Sequence, residues 1–330
     1  MAADLAIAAA ELRHKGLDVS CDVSLKLLSR WRIGGNASVV VLPASTSEVS
    51  SVICYCNENS IPYVVVGDTS NLLFSDDGFC GVVVKIGRSM SSLQRMGTVI
   101  KVEAGRWVPS LARYSAAKGL TGLEHTAGIP GTVGGLVCMN GGSQRKGIGS
   151  SLNRLTAVMK DGSVKVFQAD ECEFAYRSSV FQDNGAIITE IELELGKAQV
   201  SKVRQEMLGI LKSRRLKFPL KLPNCGSVFA SNPSMYDEVG APGFAIEQAG
   251  LKGHRIGGAQ ISPLHANFFV NTGSATAKDM IELIAYAHNV VRNTTGFSMH
   301  SEVRYVTPEL GTISVTDYLK DLDRDTANGS

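Results

Sequence analysis

The sequence predicts a protein of mixed helices and strands, large enough for more than one domain. Three observations carry this expectation. The chain has 330 residues, against roughly 100–200 per domain. A strand–helix–strand order between Ser38 and Val66 suggests a βαβ unit with a parallel pair. Asp161-Gly162 between two β-rich runs suggests an antiparallel hairpin, because both residues tolerate positive φ.

The elements follow in order. Ser38–Leu42 is a β-branched run closed by Pro43. Ser45, Thr46 or Ser47 then offers an N-cap to a helix carrying Val49, Val52, Ile53 and Cys56 on one face. Tyr63–Val66 and Val82–Ile86 are strand-like, with the loop Gly67-Asp-Thr-Ser-Asn-Leu-Leu between them. Val99–Glu103 reads as a strand, and Pro109 and Gly119 suit the start and stop of the helix after it. Leu155–Lys160 and Ser163–Gln168 form the arms of the hairpin. Ile187–Leu195 alternates apolar and acidic residues, as a half-exposed strand does. Val203, Met207, Ile210 and Leu211 form a helical stripe, and the prolines and glycines of Pro219–Gly226 mark a boundary. A last helix runs from Thr276 to about Asn293, stopped by Gly296. Pro308–Ser330 reads as a polar, loosely attached tail.

Composition narrows function mainly by exclusion. Lys+Arg 33 against Asp+Glu 31 leaves a charge of +2, without the clustered excess of a nucleic-acid or polybasic membrane binder. Hydrophobic residues at 44% exclude a disordered chain. The seven cysteines include no Cys-x-x-Cys, and Cys54-x-Cys56 has no second pair, so no metal site is expected and reduced thiols are. Asp4 stands where a signal peptide would carry positive charge, and no run reaches the ~18 apolar residues of a membrane span. A cytoplasmic protein is expected.

Gly128-Ile129-Pro130-Gly131-Thr132-Val133-Gly134-Gly135 is the densest glycine cluster. Backbone amides in such a loop can converge on phosphate oxygens. It is neither G-x-G-x-x-G nor a Walker loop; on spacing alone a structural turn is the stronger reading. Gly67-Asp68-Thr69-Ser70-Asn71 is a second loop that could hold an anion and that alone looks like an ordinary turn.

Taken in order, Trp31-Arg-Ile-Gly34-Gly35-Asn36-Ala37, Ser70-Asn71-Leu-Leu, Ala127 to Gly135, Tyr176-Arg177-Ser-Ser-Val-Phe181, Gly226-Ser227-Val-Phe229, Gly257-Gly-Ala-Gln-Ile-Ser262 and His265-Ala-Asn-Phe268 form one pattern. From about Ser29 to Tyr305 the sequence resembles the UDP-N-acetylenolpyruvoylglucosamine reductase (UDP-N-acetylmuramate dehydrogenase) family, in its shorter form without a substrate-domain insertion. The resemblance implies a FAD-binding fold of the vanillyl-alcohol-oxidase type. Its two α+β subdomains would occupy residues 22–88 and 89–200, after an N-terminal segment, 1–21. A smaller α+β substrate domain would take 201–306, and residues 307–330 would be a tail. Gly34, Gly35, Asn36 and Ala37, Gly67 to Asn71, Gly128 to Thr132 with Gly134 and Gly135, and Asn140 would line non-covalent FAD.

The implied reaction reduces an enolpyruvyl ether of UDP-N-acetylglucosamine to the lactyl ether, in peptidoglycan precursor synthesis. NADPH reduces the flavin and leaves, the sugar nucleotide takes its place, and hydride then proton are added across the vinyl group. Arg177 matches the motif arginine, whose planar fork suits a carboxylate gaining charge. Ser227 matches the proton donor, with Cys225 the rival by acidity. Glu302 matches a glutamate that, protonated, could hydrogen-bond the enolate. Tyr176, Arg214, Lys217 and Asn232 would bind the substrate. The partner implied is this small molecule alone, with no nucleic acid and no membrane, and the protein is expected to be a monomer. Read without the match, Arg177 is a surface residue, Ser227 a turn cap, and Lys212 to Lys217 a charged helix end.

Four stretches depart from the family pattern, one of them Met299-His-Ser, before Glu302, where Leu-Glu-Pro is usual. Asp68-Thr69-Ser70-Asn71 stands where Gly-x-Gly-Ser-Asn is usual, Met139-Asn-Gly-Gly-Ser-Gln-Arg-Lys for Met-Asn-Ala-Gly-Ala-Tyr-Gly, and Phe229-Ala-Ser-Asn232-Pro233 for Phe-Lys-Asn-Pro. The alternatives are a paralogue acting on another enolpyruvyl sugar nucleotide and a catalytically silent flavin-binding protein. Retention of Arg177, Ser227 and Glu302 together argues against the silent form.

Overall fold

A computed structural model describes residues 2–231, 233–309 and 311–328, and divides the chain into two units built from interleaved segments. The first comprises Met1–Cys21, Val39–Asp68 and Gly81–Leu216; the second comprises Asp22–Ser38, Thr69–Cys80 and Lys217–Ser330.

In the first unit, Ser45 caps the helix Thr46–Glu58 by accepting the Glu48 N–H, and Val49, Val52, Ile53 and Cys56 are buried in the core. The sequence places a parallel pair within Ser38–Val66, but the strands Asn36–Val41 and Tyr63–Val66 are not neighbours: the strand Phe79–Lys85 lies between them. The parallel pair is Tyr63–Val66 with Phe79–Lys85, in register Tyr63↔Val82. Val82, Val83 and Val84 are fully buried, and an apolar run covered on both faces belongs in the middle of a sheet.

A five-stranded antiparallel sheet completes the unit, in the order Val164–Gln168, Leu152–Val158, Ile187–Glu194, Val99–Glu103, Leu93–Met96. Asp161-Gly162 turns the expected hairpin, with Gly162 at φ 85°. The acidic positions of Ile187–Glu194 face partners on both sides: Glu190 meets Lys101 at 2.9 Å and Glu192 meets Arg154 at 2.9 Å. The Arg154 contact holds the Glu192 carboxyl below its ordinary range. The helix Val200–Lys217 buries Val203 and Met207 against Ala112, Ala116 and Ala127. A helix not foreseen in the sequence, Ala2–His14, adds Leu5, Ala8, Ala9 and Leu12 to the core.

The second unit is centred on Trp31, fully buried, with its indole N–H on the Phe269 carbonyl at 2.8 Å. Asn271 Nδ2 returns a bond to the Trp31 carbonyl at 2.9 Å. The helix Ala277–Thr295 opens with a Thr276–Asp279 capping box and ends at Gly296, φ 78°. Asp76 reinforces it by accepting the N–H groups of Ala277 and Lys278. The segment read as a loose tail is built into this unit. Gly311–Ser314 pairs with Arg304–Thr307, which itself lies parallel to Leu72–Phe74. The helix Val315–Asn328 follows, burying Val315 and setting Tyr318 4.8 Å from Tyr305, centroid to centroid. Val315, Tyr318 and Leu319 are spaced as one helical face, a signal that the polar composition of the stretch conceals.

All seven cysteines are free thiols. Burial pushes Cys56 up to about 12 and Cys172 up to about 11, so neither offers a nucleophilic thiolate near neutrality. Iodoacetamide at pH 8 should therefore alkylate exposed Cys21 and Cys80 and spare buried Cys56, Cys172 and Cys225 until the chain is unfolded. Peptide mass spectrometry reads this pattern, and early labelling at Cys56 would contradict it.

Candidate active site

The two glycine loops of the first unit touch. A Cβ on Gly67 would collide with Thr132 Oγ1, the atom that caps the short helix Val133–Cys138 by accepting the Gly135 N–H. Glycine is demanded at 67 by that approach. The helix itself offers few donors, because Val133 N–H bonds the Arg106 carbonyl and Gly134 N–H the Ala104 carbonyl. Gly134 also lies against Ala104, where a Cβ would stand 2.8 Å from the alanine methyl. The N–H groups of Gly67, Gly131 and Thr132 donate to no other described residue. Unpaired amides on touching loops form the donor set that a diphosphate needs, so these residues fit a flavin dinucleotide.

Charged side chains lie beside these loops. Lys85 Nζ donates to the Gly67 carbonyl at 3.2 Å; burial pushes its ammonium below the ordinary lysine range, and Asp68 nearby opposes that shift. Arg214, expected to bind substrate, lies against Gly128: a Cβ at 128, where φ is 78°, would sit 3.2 Å from Arg214 Nε. Burial lowers the pKa of its guanidinium, which stays charged near neutrality as arginine does.

Arg177 and Tyr176 form the tip of a tight turn closed by reciprocal N–H···O bonds between Ala175 and Ser178, at 3.1 and 3.2 Å. Arg177 is left-handed, φ 54°, and its Nη2 donates to the Gly142 carbonyl at 3.0 Å. Its guanidinium carbon lies 5.2 Å from the Tyr176 ring centroid, and that ring is 58% exposed. Asn140, expected along the cofactor, uses its carboxamide within the protein: Nδ2 donates to the Ala175 carbonyl at 2.8 Å and Oδ1 accepts the Gly149 N–H at 3.0 Å.

The remaining residues lie in the second unit. The segment Ser227–Ala230 runs between Asn267-Phe268 and His300–Glu302. Ser227 bridges Phe268, Val228 N–H bonds the Asn267 carbonyl, Glu302 N–H bonds the Val228 carbonyl at 2.8 Å, and Ala230 N–H bonds the His300 carbonyl. This register sets Phe229 opposite Ser301 and Val228 opposite Glu302, one position along the segment from Ser227. Ser227 is exposed and Glu302 half-buried. Cys225, the rival proton donor, is buried with its thiol donating to the Thr69 and Leu72 carbonyls at 3.4 and 3.7 Å. Buried Asn267, not singled out in the sequence, secures the segment by accepting the Phe229 N–H and donating to the Phe229 carbonyl, both at 2.9 Å. Lys217 ends its helix exposed, and Asn232 lies outside the described residues.

The other two flavin-loop stretches also belong to this unit. Gly34 and Gly35 are required by close packing. A Cβ at 34 would lie 2.8 Å from Phe74 Cβ, and one at 35 would collide with the Asp76 carbonyl. Asn36 Nδ2 donates to Asp22, and Ala37 is buried in its strand. Thr69, standing where the family has glycine, adopts φ 54°, an uncommon conformation for a β-branched residue. Its hydroxyl donates to the Leu28 carbonyl at 2.9 Å and accepts the Arg30 N–H at 3.0 Å, offsetting the strain. Thr69→Val keeps the branching but leaves both groups unpaired. It should cost about 1–3 kcal/mol of stability, read as a lower unfolding midpoint; an unchanged midpoint would refute the role of the hydroxyl.

Two family models match the chain. Residues 37–168 match a FAD binding domain, and residues 218–306 match the C-terminal domain of UDP-N-acetylenolpyruvoylglucosamine reductase. The protein is thus a flavin-binding protein of α+β fold, as the sequence led us to expect. UDP-N-acetylenolpyruvoylglucosamine reductase 1 of Corynebacterium glutamicum is 47% identical over 285 residues, covering 86% of this chain and 85% of the relative. The reductase of Heliobacterium modesticaldum is 37% identical over 84% of this chain and 87% of its own length. The crystal structure of the enzyme from Thermus caldophilus aligns with a TM-score of 0.74 at 29% identity, over 88% of this chain and 98% of that one. The chain belongs to the UDP-N-acetylenolpyruvoylglucosamine reductase family.

Proposed function

We infer that this protein reduces UDP-N-acetylglucosamine-enolpyruvate to UDP-N-acetylmuramate with NADPH, in the synthesis of peptidoglycan precursors. The observation that supports the chemistry is the segment Ser227–Ala230, which leaves Ser227 exposed and bonds the next residue, Val228, to the backbone of Glu302. The loops around Gly67, Gly131 and Thr132 would hold FAD without a covalent link, and the flavin would supply the redox chemistry that links NADPH to the enolpyruvyl substrate. The protein's own residues handle charge and the proton. Arg177 would bind the substrate carboxylate through its planar fork. Ser227 would deliver the proton to the carbon beside that carboxylate, and Glu302 would stabilise the negative charge that builds there. Tyr176, Arg214, Lys217 and Asn232 complete the proposed substrate contacts. A monomer in the cytoplasm is part of this reading; the free thiols and the nicotinamide co-substrate support that setting.

The test is spectral. NADPH should bleach the bound flavin under anaerobic conditions, and UDP-N-acetylglucosamine-enolpyruvate should restore its colour with formation of UDP-N-acetylmuramate. Bleached flavin that this substrate leaves unchanged would overturn the reading.

A further inference from the structure

Arg177 is a strained member of the site. A non-glycine residue at φ 54° is strained and persists only where its surroundings over-determine it. Those surroundings are side chains that reach back to the end of the short helix Val133–Cys138. One amide nitrogen, Gln182 Nε2, donates to the Arg177 carbonyl at 2.9 Å and also to the Cys138 carbonyl at 3.2 Å. Ser179 Oγ donates to the same Cys138 carbonyl at 2.6 Å, and Asn140, just past the helix, bonds the Ala175 carbonyl at the base of the turn.

Carbonyls at a helix end need partners, and local capping or water usually suffices. Here the partners come from more than forty residues away, and one of them also holds the arginine's own carbonyl. The opposite end of this helix is the Gly131-Thr132 loop that fits the flavin diphosphate. We propose that Gln182 is a positioning residue, fixing the Arg177 turn to the helix that carries the flavin loop. The proposal rests on the role assigned to Arg177 above. Misplacing a substrate-holding group by about 1 Å can cost on the order of a hundredfold in rate.

Stopped-flow kinetics of the two half-reactions test it, with retained flavin absorbance confirming the fold of each variant. Gln182→Ala should slow reoxidation by substrate about 10–100-fold, with reduction by NADPH unchanged within about twofold. Gln182→Lys keeps a donor on a long side chain, whereas isosteric Gln182→Glu offers only acceptors to two carbonyls, so lysine should be the milder change. If Gln182 acts through Arg177, Gln182→Ala should add almost nothing in an Arg177→Ala background. Equal losses in both backgrounds, a glutamate milder than lysine, or equal slowing of both half-reactions would overturn the assignment. Wild-type flavin that NADPH bleaches and the enolpyruvyl substrate cannot reoxidise would instead overturn the functional reading, and this inference with it. Normal wild-type reoxidation that Gln182→Ala leaves untouched overturns this inference alone.

Discussion

Ser227→Ala should leave bleaching of the flavin by NADPH nearly intact and slow its reoxidation by substrate about 10²–10⁴-fold, the range that general acid catalysis contributes. A serine hydroxyl is a weak acid, so it works only when it directly faces a strongly basic carbon. Ser227 suits that role because it is exposed at the start of an extended segment whose other backbone groups are bonded to Asn267, His300 and Glu302. Cys225 is the stronger acid by type, yet its buried thiol already donates to the carbonyls of Thr69 and Leu72. Cys225→Ala should therefore disturb the packing of the Thr69–Leu72 loop more than proton delivery. Stopped-flow spectroscopy separates the two outcomes, and a Cys225→Ala variant that alone loses reoxidation would reverse the assignment.

Arg177→Lys and Glu302→Ala should each reduce reoxidation by about 10²–10³-fold, the cost of one charge-stabilising donor. Lysine keeps the charge and loses the planar fork, so it is not a conservative change at a carboxylate site. It also forfeits the geometry by which Arg177 Nη2 reaches the Gly142 carbonyl. Glu302→Gln retains a donor in a segment fixed by the Glu302 N–H to the Val228 carbonyl, so it should be milder than alanine if the glutamate works as a hydrogen-bond donor. Flavin reduction by NADPH is the internal control. Equal damage to both half-reactions would show that these residues hold the flavin or the fold. A glutamine variant as slow as alanine, with flavin bound, would point to a charged or proton-transferring glutamate.

Periodicity and caps foretold local structure well. Ser45 capping Thr46–Glu58, the Asp161-Gly162 hairpin and the Thr276–Gly296 helix all lie where short-range signals place them. Pairing between strands is not local, and there the reading failed: nothing in Ser38–Val66 reveals that Phe79–Lys85 lies between its two strands. The tail reading failed because polarity outweighed the sparse stripe of Val315, Tyr318 and Leu319. The glycines drew attention to the flavin loops, but glycine has two meanings. At 67 it permits a neighbouring loop to approach, whereas at 34 and 35 it is required by Phe74 and Asp76. Gln182, Asn267 and the hydroxyl of Thr69 were invisible as actors because each makes a bond to a backbone atom distant in the chain. A polar side chain reveals nothing in sequence about which remote carbonyl it will meet.

The interleaving of the second unit bears on how the protein is made. Residues 22–38 and 69–80 leave the ribosome well before residues 217–330, which supply most of their partners in that unit. At translation rates of about 5–20 residues per second the early pieces wait roughly 7–30 s. Meanwhile Trp31, Ile33 and Leu73, destined for the core, remain open to chaperones or to self-association. A nascent or truncated chain that stops before residue 217 is an orphan with apolar segments exposed. Dissection into an isolated flavin half should give aggregation-prone fragments, and separately expressed halves should recover function only when they are produced together.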